Sequence, residues 1–143
     1  MLWEEDRRAL KVLHGALCIG CVSFLLALVF LNNSNGAALD PAPTILVPLG
    51  LGSLLLIVPS FLLFHRRMER MRSMPEPEPF AALRASLIMH WALIESTCFV
   101  NAVMFLLTGS WLAFGAAVFA VVVLVQRMPT DPRVDTWLTG VRR

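Results

Sequence analysis

The sequence predicts an all-α integral membrane protein, a four-helix bundle with spans at about 12–31, 44–64, 85–107 and 110–126 and both termini in the cytoplasm. Three observations lead there. Of 143 residues, 57% are hydrophobic and only 15% are charged, with no tyrosine, which is far more apolar than a soluble domain of this length requires. The apolar residues gather in runs of about 20, the length that crosses a hydrocarbon core of about 30 Å. All 12 lysines and arginines lie outside those runs, in the N-terminal segment, the 65–84 connection and the 127–143 tail. With four spans these three segments face the same side, and an excess of basic residues marks the cytoplasmic one. The chain therefore reads as a single membrane domain, 1–143, with the bacterial inner membrane as its expected location.

The first run, 12–31, follows Arg7, Arg8 and Lys11. It is longer than the roughly 7–15-residue apolar core of a secretory signal, and Glu4, Glu5 and Asp6 precede it, so it reads as a retained span. Asn32, Asn33, Ser34, Asn35 and Gly36, continuing to Asp40 and Pro41, are turn formers without a basic residue and predict an external loop. The second run carries Pro48, Gly50, Gly52 and Pro59. The Pro59 ring removes the hydrogen bond to the carbonyl of Leu55, which predicts a kink. His65 to Arg72 then prolongs this helix by about two turns of cytoplasmic extension, until Pro75, Pro77 and Pro79 stop it. Arg66, Arg67, Arg70 and Arg72 are the candidate contacts for anionic lipid head groups or a partner, at about 1 kcal/mol each near a charged leaflet. The same residues also serve as a topology signal.

Thr108, Gly109 and Ser110 predict a tight turn between the third run and the short fourth one. In the tail, Asp131 is expected to cap a short helix with Pro132 at its first position. Val134, Trp137, Leu138 and Val141 would form its apolar side, with Trp137 anchoring it at the membrane interface.

Only the third run has substantial polar content: His90, Glu95, Ser96, Thr97 and Asn101. Glu95 falls near mid-membrane, where a charged side chain costs about 2.5–3.5 kcal/mol, so it is expected to be neutral at rest. Such a carboxyl either marks an ion or proton path or serves as a hydrogen-bonding contact between helices. At 100° per residue, His90, Ile94, Thr97 and Asn101 share one helix face, while Trp91, Glu95, Cys98 and Ala102 share another. His90, Thr97 and Asn101 are read as interhelical hydrogen-bonding groups, and Glu95 as the candidate protonatable one.

Nothing else carries chemistry. Cys18 and Cys21 spell a CxxC, but without further ligands they read as small packing residues. His14, His65 and His90 are scattered, no glycine-rich phosphate loop is present, and the serines lack a base, so neither enzymatic activity nor a metal or cofactor is expected. No basic, aromatic-rich amphipathic face offers itself to nucleic acid.

Pro77-Glu78, Leu83-Arg84 and Trp91-Ala92-Leu93-Ile94-Glu95 resemble the polar loop and carboxylate-bearing helix of rotary ATP synthase c subunits, over about a fifth of the chain. The resemblance implies that Glu95 takes the ion-carrier position and that the loop from Arg66 to Arg84 faces the cytoplasm. Where that family has a glycine-rich first helix, the second span here has only Gly50 and Gly52, together with two prolines. As a whole the chain resembles small four-helix proteins of bacterial inner membranes. The expected role is an accessory or assembly subunit of a larger membrane complex, in contact with lipid and with other subunits or further copies of itself. The alternative is a proton- or ion-conducting oligomer built on Glu95.

Overall fold

The structure, a computed structural model, describes residues 2–34, 45–71 and 78–139. Six α-helices account for nearly all of them: α1 (Leu2–Ser34), α2 (Leu46–Gly52), α3 (Ile57–Met71), α4 (Glu78–Thr108), α5 (Trp111–Gln126) and α6 (Asp131–Thr139). A short 3₁₀ turn, Ser53–Leu56, joins α2 to α3, and there is no strand among the described residues. Residues 1, 35–44, 72–77 and 140–143 fall outside the description, and with them Arg72, Pro75, Pro77, Val141 and the expected external loop beyond Ser34, since Asn32, Asn33 and Ser34 still belong to α1.

Three segments are long and apolar enough to cross a membrane: Glu4–Ser34, the α2–α3 unit Leu46–Met71, and Ala81–Thr108. The fourth, α5, has 16 residues, or about 24 Å at 1.5 Å per residue, short of a full hydrocarbon core. It reaches spanning length only together with α6, from which it is bent by 76°. The sequence spans thus recur as helices, with the third starting earlier than expected, at Glu78. Pro79 does not prevent this, because a first-turn N–H has no intrahelical partner to lose.

The expected kink takes another form. The hydrogen-bond pattern tightens to 3₁₀ over Ser53–Leu56 and a new α-helical ladder starts at Ile57. Pro59 therefore stands in the first turn of α3, where its missing N–H costs little. Pro48 has the same position in α2, whose first bond runs from Leu49 N–H to Ile45 O at 3.2 Å. α3 then continues through the basic segment to Met71, as the sequence anticipates.

α4 is the central rod, its buried stripe made by Leu83, Leu87, Trp91, Ile94, Cys98, Ala102 and Phe105. α5 meets it with Ala113, Ala116, Ala117 and Ala120, small residues that let two helix backbones approach closely without a hydrophobic driving force. The α4–α5 turn closes on Gly109, whose φ of 64° suits glycine and whose N–H donates to Phe105 O at 2.8 Å, the αL termination of a helix. Outward-facing positions are as apolar as inward ones: Ile19, Leu26, Phe30, Leu55, Leu62, Leu112 and Phe119 are all exposed. That inversion suits a lipid solvent and would be an aggregation hazard in water.

Charged contacts gather at one end. Asp6 lies 3.7 Å from Arg84, Lys11 donates to Asp131 at 2.7 Å, and Arg7 pairs with Asp135. The start of α1, the start of α4 and helix α6 therefore meet, and α3 joins them through Phe64, edge-on to Trp137 with centroids 5.6 Å apart.

Two expectations for the tail change. Asp131 does not cap α6: the first backbone bond of that helix runs from Val134 N–H to Thr130 O at 3.0 Å, and the Asp131 carboxylate is turned to Lys11 instead. Trp137 is not a free interfacial anchor, because it packs on Phe64 while Val134 beside it is 1% exposed. The Lys11 ammonium hydrogen-bonded to Asp131 holds that carboxyl below the usual carboxylate range. A carboxyl whose folded pKa is depressed stabilises the fold above its unfolded value, and this is lost as pH falls through the folded one. Hydrogen exchange of the α6 amides, corrected for intrinsic rates, is therefore expected to accelerate as pH drops below about 4, and the acceleration should be weaker in Asp131→Asn.

Candidate functional site

The polar residues of α4 divide between its two sides, as helical periodicity predicts. On the side toward α2 and α3, Asn101 Nδ2 donates to Ser53 Oγ and to Thr97 O, both at 2.9 Å. The Thr97 hydroxyl shares its proton between Leu93 O at 3.0 Å and Ser53 O at 3.2 Å. Ser53 Oγ in turn donates to Gly50 O at 2.6 Å. The 3₁₀ turn thus presents its polar atoms to α4, and Thr97 and Asn101, both fully buried, satisfy them where no water can. Gly50 makes this approach possible: a Cβ there would stand 2.8 Å from Met104 Cγ and 3.0 Å from Asn101 Oδ1.

His90 lies on the same side, nearer the charged end, but it is not part of this network. Its ring is 4.8 Å from Phe61, edge to face, and 5.3 Å from Phe64. It is 2% exposed, and neither ring nitrogen has a hydrogen-bond partner of normal geometry among the described residues, although the Ser60 backbone lies alongside. A buried polar group left unpaired is costly; at Asn101 only Oδ1 lacks a partner among the described residues while Nδ2 donates twice, whereas at His90 both nitrogens lack one.

The other side of α4 faces α1. Trp91 packs against His14, the rings tilted by 51° with centroids 4.7 Å apart, and Phe24 meets Phe99 edge-on at 5.0 Å. His14 Nε2 is 3.6 Å from Cys18 Sγ, and Cys21 and Cys98 face each other across the same seam. Glu95 sits at the rim of this seam, within electrostatic reach of all three thiols. It is only partly buried and makes no hydrogen bond or ion pair among the described residues. His90 and Glu95 consequently lie on different sides of α4 and form no acid–base pair, and the 3₁₀ turn ahead of Pro59 faces the Asn101 side, away from Glu95.

Among the basic candidates, Arg66 and Arg67 are exposed on the end of α3, as is Arg70, and Arg72 lies outside the described residues. No group of three or more His, Cys, Asp or Glu among the described residues is placed to hold a metal ion. Sequence reasoning did not find Ser53, Ser60 or His14, since a serine or a histidine in an apolar run signals nothing until its partner is known. The Lys11–Asp131 and Arg7–Asp135 pairs left one trace, the four-residue spacing within each helix that puts both charges on one face. No family model, curated protein or solved structure matches the chain.

Proposed function

We propose that the chain is a four-span protein of the bacterial inner membrane, both termini cytoplasmic, that works as an accessory or assembly subunit of a larger membrane complex. Sidedness rests on the basic residues, all in segments assigned to one face, and the ion pairs that join three of those segments support it. The subunit role rests on Glu95. A carboxyl near the middle of the membrane, partly exposed and without a hydrogen bond among the described residues, is costly to leave facing lipid. A partner helix that offers a donor or acceptor at that depth removes the cost, by about 1–2 kcal/mol for an interhelical hydrogen bond in a membrane. Arg66, Arg67, Arg70 and Arg72 give the same subunit a contact for anionic head groups or for the partner's cytoplasmic portion.

Glu95→Leu is expected to lose the co-purifying partner in mild detergent, while Glu95→Gln, which keeps the hydrogen-bonding shape, retains it. Equal partner recovery from Glu95→Leu and the unaltered protein would sink this reading. The unpaired seat of Glu95 also suits a proton carrier in a conducting oligomer, and Glu95→Gln separates the two, since it abolishes titration and so should abolish proton flux in vesicles only if conduction is the role.

A further inference from the structure

Helix α6 does more than follow α5. It leaves α5 at 76° and lies across the charged end, where two of its faces are occupied. Asp131 and Asp135, one turn apart, pair with Lys11 and Arg7, one turn apart on α1. Val134 is buried and Trp137 packs edge-on against Phe64 of α3. Below this contact Phe64 covers His90, and from the α5 side Arg127 lies over Phe61, 4.1 Å from its centroid, with Phe61 in turn against His90. Two contacts, Trp137 edge-on to Phe64 and Arg127 over Phe61, thus close over one imidazole whose nitrogens have no hydrogen-bond partner of normal geometry among the described residues.

We infer that α6 is a charge-latched strap over a buried hydrogen-bonding site at His90, which takes up water when the two ion pairs to α1 are weakened. The latch suits release. Both pairs are open to solvent, with Asp131 and Asp135 side chains 56% and 53% exposed, and exposed pairs are individually weak and screened by salt. The site beneath suits hydration, because a water reaching His90 restores the hydrogen bonds that its Phe61 and Phe64 walls cannot supply. Arg133, on the same helix, donates to Met128 O at 3.4 Å and to Gln126 O, so the α5–α6 corner stays held while the far end of α6 lifts.

Histidine carbethoxylation by diethyl pyrocarbonate, read residue by residue by mass spectrometry on the full chain in detergent, tests this. The chain carries its own controls: His65 is exposed, and His14 is buried in the α1–α4 seam. In the unaltered protein His65 reacts and His90 is protected. In the Asp131→Asn, Asp135→Asn double variant the His90 rate is expected to rise about fivefold, the change in opening that two exposed ion pairs command, with His14 unchanged. Exchanging the Lys11–Asp131 charges, Lys11→Asp with Asp131→Lys, restores protection. Raising salt to about 1 M acts on the unaltered protein in the same direction, which keeps the test available should a variant fail to fold. A His90 rate indifferent to both salt and neutralisation overturns the proposal, and so does a rise at His14 in step with His90, which reports general loosening.

Discussion

Trp91→Ala is expected to be the most damaging single core substitution, lowering stability in detergent by about 3–5 kcal/mol, as large aromatic truncations in packed interiors do. Trp91 is fully buried at the centre of α4 and carries the ring contact with His14 that joins α4 to α1. Its indole N–H has no hydrogen-bond partner among the described residues, so its contribution is packing and not a polar contact. Trp91→Phe keeps an aromatic ring against His14 and should therefore cost much less, below about 1.5 kcal/mol. Thermal unfolding midpoints of the two variants measure the difference. Equal midpoints would mean that the α1–α4 seam is not organised around this ring.

The second large effect is expected at Gly50. A Cβ there meets Met104 Cγ at 2.8 Å, closer than real Cβ contacts come, and Asn101 Oδ1 at a tight 3.0 Å, so Gly50→Val displaces those two side chains or pushes α2 from α4. Overpacking typically costs about 1–3 kcal/mol, and here the displacement also stretches the hydrogen bonds from Asn101 to Ser53 and from Thr97 to Ser53. We place Gly50→Val at about 3 kcal/mol, the top of that range. Gly52 provides the comparison two residues away: nothing lies within 4 Å of a Cβ built there, so Gly52→Ala is expected to be neutral or slightly stabilising. If both substitutions behave alike in the same unfolding assay, the close approach of α2 to α4 is not present in solution.

Some of this was legible in the sequence because it follows from local periodicity. The division of α4 into a His90, Thr97 and Asn101 face and a Trp91 and Cys98 face is a consequence of 100° per residue; Thr97 and Asn101 have the interhelical hydrogen bonds expected of them, and His90 does not. The turn at Gly109 and the run of α3 through Met71 are likewise local, set by a glycine and by a continuous helix-forming segment. Other features depend on which helices become neighbours. The charges at 7, 11, 131 and 135 each read as solvated surface residues until α6 folds back across α1, and Asp131 looked like a helix cap because its other partner is 120 residues away. Pro59 pointed to a disturbed ladder at Leu55, inside the 3₁₀ turn, because the ring's effect is local, whereas the polar groups that pair with the turn, Thr97 and Asn101, come from α4 and could not be read from that segment. The seam on which Glu95 sits was hidden for the same reason: periodicity fixes its face on α4, and only the packing of α1 leaves that face at a rim.

The most direct measurement on the proposed role is the native mass of the chain extracted from its own membrane in mild detergent, with everything that co-migrates identified. A stoichiometric complex with at least one other membrane polypeptide, lost on Glu95→Leu, is the expected result. A particle containing this chain alone, whether as monomer or oligomer and with Glu95 intact, would contradict it.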